Sequence, residues 1–226
     1  MARRFRSVSP SRQSSAMAKP HKGGVKRRTP AEQNSVEHSG VNIRQVTAAD
    51  IEDVLRIARA IQLSSTTDTR RGFLVSALSR EVYAAALAYT ERRENAEHVV
   101  FLVAEHNGKA IGFLLGYNDV YASRRSGGQS EGDIAARYAG PFYVLKQIAL
   151  DLNEHHKGVG RALVDRFVAE ARCTYIFSAV VSEPENPASS MFHRKMGFAP
   201  IFNSTSSNVN GVTYPNQVWR RTCSPV

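Results

Sequence analysis

Residues 143–172 change the period of their apolar positions once. YVLKQIALD is an apolar run rich in β-branched and aromatic residues and predicts a strand. Further on, Val159, Leu163, Phe167 and Ala171 recur at helical spacing, with Ala162, Val164 and Val168 beside them. That stripe predicts an amphipathic helix of about three turns. Upstream, VNIRQV predicts a strand, and Thr47-Ala48-Ala49-Asp50 fits a capping box before a helix carrying Ile51, Val54, Leu55, Ala58 and Ile61. LSSTTDTRRG is a polar break, and a second helix is expected near Ser79 with Val82, Ala85, Ala86 and Tyr89 on one face. VVFLVAEH and KAIGFLLGY flank Asn107-Gly108, a two-residue hairpin signal. From Tyr121 to Gly140 the chain is rich in Ser, Gly and Arg. It reads as a loop of about twenty residues, long enough to be either mobile or a cover for a substrate.

Downstream of the long helix, Tyr175–Val181 is a short apolar strand and SEPENP a turn. Asn186 and Pro187 form an N-cap and first-turn pair for a helix over residues 188–196, and Gly197 suits the position after it. FAPIFN predicts another strand, and Asn210-Gly211 opens a last hairpin toward Val218-Trp219. The order is mixed α/β, with two strand–helix units in its second half.

A chain of 226 residues suits one domain with a sizeable core. No segment approaches the roughly 18 consecutive apolar residues needed to span a bilayer, so no membrane partner is expected. Cys173 and Cys223 are the only cysteines, which excludes a disulfide framework or a Cys-rich zinc site and makes a cytoplasmic setting the expectation. The net charge of +10 is uneven: residues 1–40 hold nine Lys/Arg against Glu32 and Glu37, a net +7. This stretch mixes Arg, Ser, Pro and Gly with almost no apolar periodicity. It reads as a disordered basic tail ahead of a domain over residues 41–222. It lacks the apolar core of a secretory signal and the apolar helical face of a transit peptide. A weak contact with nucleic acid or another anionic surface is open to it, and a solvated extension is the plainer reading.

Between the organising strand and helix sits His155-His156-Lys157-Gly158-Val159-Gly160. Free N–H groups at a helix start, with the positive end of its dipole, attract an anion. Gly158 and Gly160 lack the Cβ atoms that would hold a phosphate off the backbone, and the same lack also suits close helix–sheet packing. The charge of His155 and His156 depends on pH, whereas Lys157 and Arg161 carry theirs throughout. His155, His156 and His193 have no zinc-ligand spacing, so no metal is expected.

The order strand, then [Gln/Arg]-x-x-Gly-x-[Gly/Ala], then amphipathic helix resembles the acetyl-CoA motif of the GNAT N-acetyltransferase superfamily. Gly158 and Gly160 match it, while His155 stands where the family usually has Gln or Arg and His156 where many members have Gly. The segment NPASSMFHRKMGF (residues 186–198) resembles the second signature, Asn-x-x-[Ala/Ser]-x-x-[Leu/Phe]-[Tyr/His]-x-x-x-Gly-Phe. Both occur in the family's order, and the similarity covers roughly residues 41–219. A dinucleotide oxidoreductase fits poorly, because the glycine motif lacks the leading glycine and follows a late strand.

The resemblance implies an α/β fold with a central mixed, mostly antiparallel sheet of about six or seven strands flanked by about four helices. It implies acetyl-CoA as co-substrate. The pantetheine arm would enter where the organising strand bulges and splays from its neighbour, at Ile148, Ala149 and Leu150. The pyrophosphate would rest on backbone N–H groups of His156, Lys157, Gly158, Val159, Gly160 and Arg161, with His155 alongside. Asn186, Ser189 and Phe192 match positions that contact the pantetheine or adenosine end. His193 occupies the place where many members carry a Tyr that protonates the departing thiolate, a role its ordinary pKa permits.

The implied reaction is direct attack by a primary amine of a small molecule or peptide, bound against the first two helices, residues 70–76 and residues 121–140. Lys146 stands where related enzymes often carry a glutamate, with Gln147 next to it. Glu183, Glu185, Asp151, Tyr143 or a water chain are left as the base. Asp151 reads better as a cap on the loop after the strand, Tyr143 as core and Cys173 as packing. A catalytically silent acyl-CoA-binding module is the rival reading, and a monomer or homodimer is expected.

Overall fold

A computed structural model describes residues 40–66, 68–91, 96–126, 128–153, 158–208 and 210–223. Val41–Gln45 forms β1. The Thr47 N–H donates to Asp50 Oδ2 at 2.7 Å, closing a turn that launches α1 (Ile51–Ala60). Its buried face is Ile51, Val54, Leu55, Ile57 and Ala58. Asn107 (φ 51°) and Gly108 (φ 74°) make a two-residue turn with both residues left-handed, joining β2 (Val99–His106) to β3 (Lys109–Asn118). The remaining strands are β4 (Phe142–Leu150), β5 (Tyr175–Val181), β6 (Ala199–Ser207) and β7 (Thr213–Thr222).

These seven strands form one sheet in the order β1-β2-β3-β4-β5-β7-β6, antiparallel throughout except for β4 beside β5. The described residues all fall in a compact unit over residues 37–226. The period-two alternation of β2 shows how the core divides. Val99, Phe101 and Val103 join the cluster containing Leu55, Tyr83 and Ile134, while Val100, Leu102 and Ala104 join the one containing Leu163, Val164 and Phe167. α1, α2 (Arg80–Ala86) and α4 (Gln129–Arg137) therefore cover one face, and α5 (Val159–Ala171) the other.

Two expectations are corrected. α2 starts at its Ser79 cap and buries Ala86 as expected, but Tyr83 takes the inward place beside it, and Val82 and Ala85 are exposed, Val82 to 46%. Tyr83 sets that rotation, because its ring packs between Phe101 and Phe113 while its hydroxyl reaches Gln147 on β4 at 2.7 Å. The stretch 121–140, read as a loop, is largely helical. A short α3 (Asp119–Tyr121) runs into a π-helical turn (Ala122–Ser126), and α4 follows. α4 escapes an apolar count because Ile134 is its one buried hydrophobic residue, the others being Ser130 and Glu131.

The middle of β4 is irregular. Leu115 of β3 pairs with Gln147, but the next residue, Gly116, pairs with Leu145, so Lys146 is an extra residue bulged out of the ladder. The parallel pairing of β4 with β5 runs from Phe142/Tyr175 to Leu145/Ser178 and ends there. A Cβ on Gly116 would lie 2.5 Å from the Phe167 ring and 2.8 Å from the Val144 carbonyl oxygen, so only glycine fits opposite the bulge.

Candidate active site

Where β4 and β5 part, a cleft of about 450 Å³ opens. Its walls come from residues 145–148 of β4, residues 178–181 of β5, and Asn186, Ser189 and His193 of α6 (Pro187–Lys195) and its cap. On the other face of the sheet it is lined by residues 73–76, by Tyr121, Arg125 and Glu131, and by residues 206–208.

At the start of α5, the helix that follows β4, Gly158 is the N-cap with φ +89°, a conformation that side-chain-bearing residues rarely adopt. The first-turn N–H groups of Val159, Gly160 and Arg161 have no partner within the helix. A Cβ on Gly160 would sit 3.0 Å from the Phe192 ring, so this glycine also lets α6 pack against the start of α5. His155, His156 and Lys157 lie outside the described residues.

β4 carries Ile148 and Leu150 half-buried toward the α5 side, while the Ala149 side chain is in the opposite core cluster. Asn186 is buried with both polar ends engaged. Its Oδ1 accepts the Ser189 N–H at 3.3 Å and its Nδ2 donates to the Phe73 carbonyl at 3.0 Å. It therefore caps α6 and ties that helix to the loop before α2. Ser189 lines the cleft one turn before His193.

His193 is 3% exposed. Its Nδ1 lies 2.8 Å from the Ser189 carbonyl oxygen, which can only accept, so Nδ1 carries the proton. Burial pushes its pKa below the ordinary histidine value, and the ring is neutral at pH 7. Nε2 is then an acceptor, 3.0 Å from Ser178 Oγ, which is in turn 3.1 Å from the Leu145 carbonyl oxygen. One hydroxyl hydrogen thus serves two acceptors at the last paired position of β4 and β5.

On the opposite side of the cleft, Glu131 Oε1 accepts Lys146 Nζ at 2.7 Å and the Tyr117 hydroxyl at 2.7 Å. Burial alone would raise the Glu131 pKa. The Lys146 charge and the two hydrogen bonds outweigh it and hold the carboxyl below its ordinary range. Gln147 accepts from the Tyr83 hydroxyl and donates to the Ser76 carbonyl at 3.0 Å. Burial pushes the Tyr83 phenol up to about 12, so it stays a donor. α4 is fastened to β6, with Ser130 Oγ on the Thr205 carbonyl at 2.9 Å and Ser204 Oγ on Asp133 Oδ2 at 2.6 Å.

The sequence reading does not reach Ser178 or Glu131. Ser178 is the lone polar residue in an apolar strand, a signal that was there to find. Glu131 reaches Lys146 only through the tertiary fold. Of the carboxylates and phenol weighed as bases, Asp151 accepts the Asn153 N–H at 3.0 Å and pairs with Arg56, which makes it the cap of the loop after β4. The Tyr143 hydroxyl lies 2.7 Å from His98 Nδ1 in the core, and Glu183 and Glu185 are exposed on the turn after β5.

Among the described residues no helix is long and apolar enough to cross a membrane, and no three His, Cys, Asp or Glu side chains cluster as a metal site. No curated protein sequence matches the chain as a relative. Solved structures match its fold at low identity. The ribosomal-protein-S18-alanine N-acetyltransferase of Escherichia coli is 15% identical (TM-score 0.54), covering 82% of this chain and 96% of that one. NAA60 of Arabidopsis thaliana with a bisubstrate analogue is 14% identical (TM-score 0.58), covering 82% and 99%. The same plant protein in complex with acetyl-CoA is 13% identical (TM-score 0.57), covering 80% and 98%. Residues 64–198, more than half of the sequence and spanning the cleft from α2 to the end of α6, match the acetyltransferase (GNAT) family. This chain belongs to that family and is an acyltransferase.

Proposed function

We propose that this protein is an acetyl-CoA-dependent N-acetyltransferase that passes the acetyl group to a primary amine by direct attack in a ternary complex. The observation that carries the reading is the parting of β4 and β5 beyond Leu145/Ser178, directly ahead of a helix that starts at left-handed Gly158. The N–H groups of Gly158 to Arg161 suit a pyrophosphate, with Lys157 and the His155-His156 pair adding charge from the residues just before it in sequence. The β4 edge at Ile148, Ala149 and Leu150, which β5 leaves unpaired, suits the amide groups of a pantetheine arm. Ser189 lines the same cleft, Phe192 packs on Gly160 at the start of α5, and Asn186 holds the cleft wall. Strand N–H groups at the bulge suit a developing oxyanion.

His193 takes the leaving-group role through Ser178. The buried, neutral imidazole has no proton on Nε2 to give, so it holds the Ser178 side chain in place, and with substrate bound the one Ser178 hydrogen turns from Nε2 and the Leu145 carbonyl to the departing sulfur. The acceptor amine, on a small molecule or a peptide, enters from the α2 and α4 side. The protein acts in the cytoplasm as a monomer or homodimer, with residues 1–40 a basic extension of the domain.

Lys146 in place of a carboxylate favours the silent acyl-CoA-binding module, but the carboxylate of Glu131 stands 2.7 Å from it. Calorimetric titration with acetyl-CoA, with NADH as control, tests the site. Micromolar binding, about −8 kcal/mol, is expected for acetyl-CoA alone. Thiol release across a panel of small amines and peptide N-termini then separates the two readings. Binding with no release from any amine would leave the silent module.

A further inference from the structure

In a regular strand, residues 146 and 147 would point to opposite faces of the sheet. The bulge removes that alternation. Leu145 and Ile148 belong to the cluster on the α5 side, but the two residues between them both reach the other face, Gln147 to Tyr83 and Ser76 and Lys146 to Glu131 of α4. A primary amine is thereby placed in the cleft one residue beyond Leu145, where the pairing with β5 ends. Among the described residues no other lysine lines the cleft. The Lys146 side chain is 31% exposed, so it is in contact with the cleft's contents, while its partner carboxylate is 6% exposed. Amine and proton acceptor thus stand at hydrogen-bond distance, as an amine-acetylating reaction needs of its substrate and base.

We propose that Lys146 is itself an acetyl acceptor, modified from the acetyl-CoA bound in its own cleft. This rests on the acetyl-CoA reading above. The Lys146 ammonium passes one proton to Glu131 Oε1, and from there it goes to cleft water. The Nζ lone pair then attacks the thioester carbonyl and forms the C–N bond. The C–S bond breaks, and the sulfur leaves with the second Nζ proton. Ammonium and thioester become amide, thiol and one released proton. The product has no charge at position 146, so the cation opposite Glu131 is gone and that carboxylate faces an arriving ammonium in its place.

The experiment is incubation of the full chain with acetyl-CoA and no added amine, followed by intact mass and peptide fragmentation. The expected result is a single acetyl group on Lys146, gained at a rate independent of protein concentration. Lys146→Arg, which keeps the charge beside Glu131, gains none there and still binds acetyl-CoA by calorimetry. Glu131→Gln slows the gain by about a hundredfold, the usual loss when a general base is removed. Binding of acetyl-CoA without acetylation of Lys146, or acetyl groups spread evenly over surface lysines, overturns the proposal alone. Failure to bind acetyl-CoA at all overturns it together with the reading it rests on.

Discussion

The two sides of the cleft are held by different kinds of interaction. On the α5–α6 side the fastening is mainly apolar, with the Asn186–Phe73 and His193–Ser178 hydrogen bonds beside it. Val159, Leu163, Phe167 and Ala171 sit on one helix stripe and are buried against the sheet, and α6 is closed by its own Asn186 cap and by Gly197 at φ +81°. On the α4 side the fastening is polar and distant. Lys146 meets Glu131 across 15 positions, Ser130 meets Thr205 across 75, and the Asn216 amide lies 3.0 Å from Ser130 Oγ across 86. α4 contributes one buried apolar side chain to the core. The side that would hold the family's common co-substrate is therefore part of the core itself. The side that would meet the variable amine is a clipped-on helix whose contacts can be exchanged without dismantling the sheet.

The largest effect is expected at Gly116, where both sides meet the bulge. Gly116→Val pushes a side chain into the Phe167 ring and the Val144 carbonyl and costs about 3 kcal/mol. It lowers the urea midpoint, and a midpoint within error of wild type would show that the bulge is not pinned there. Glu131→Gln is next, at about 2 kcal/mol, because it leaves the Lys146 charge without its carboxylate. It also changes the acid limb of stability. The native Glu131 carboxyl titrates below its unfolded value of about 4.3, so its contribution is whole above that pH and drains away as pH falls through the native value. Glu131→Gln therefore flattens stability below about pH 4.3. What slope remains includes Asp50, which Arg44 holds down at about 2.

Gly158→Val acts on the α5–α6 side alone. A β-branched residue at φ +89° forces the helix start to shift, and acetyl-CoA affinity falls about tenfold, or about 1.4 kcal/mol. Titration of a variant with wild-type circular dichroism and unchanged affinity would remove the phosphate cradle from this site.

The same contrast explains what the chain disclosed on reading. Strands, the Asn107-Gly108 turn, the long helix and its glycines are written in neighbouring residues, and a period or a cap suffices to find them. The stretch 121–140 carries no such period. α4 is helical because Glu131, Ser130 and Asp133 find Lys146, Thr205 and Ser204, partners that exist only once β4 and β6 are in place. The rotation of α2 has the same origin, since Val82 and Ala85 are as good apolar partners for Ala86 on paper as Tyr83 is. Only the Phe101 and Phe113 rings and the Gln147 amide choose between them. In the site, His193 was visible as the family's tyrosine position, but its dependence on Ser178 needed the register of β5.

The smallest effect separates His193 as a buried prop from His193 as a proton carrier. Its native pKa lies below the unfolded value of about 6.5, because burial disfavours the imidazolium. As pH falls below about 6.5 the unfolded chain takes up a proton that the native ring refuses, so stability declines toward the native pKa and is whole above the unfolded one. His193→Gln keeps a polar group near Ser178, costs about 1 kcal/mol at pH 8 and removes that decline. Urea midpoints across pH 5–8 read it directly. The kinetic companion is Ser178→Ala, which lowers kcat with acetyl-CoA affinity unchanged if the hydroxyl serves the departing sulfur. A variant that loses only stability, with kcat intact, would leave the Ser178–His193 pair as a clasp between β5 and α6, and the α5–α6 side as scaffold alone.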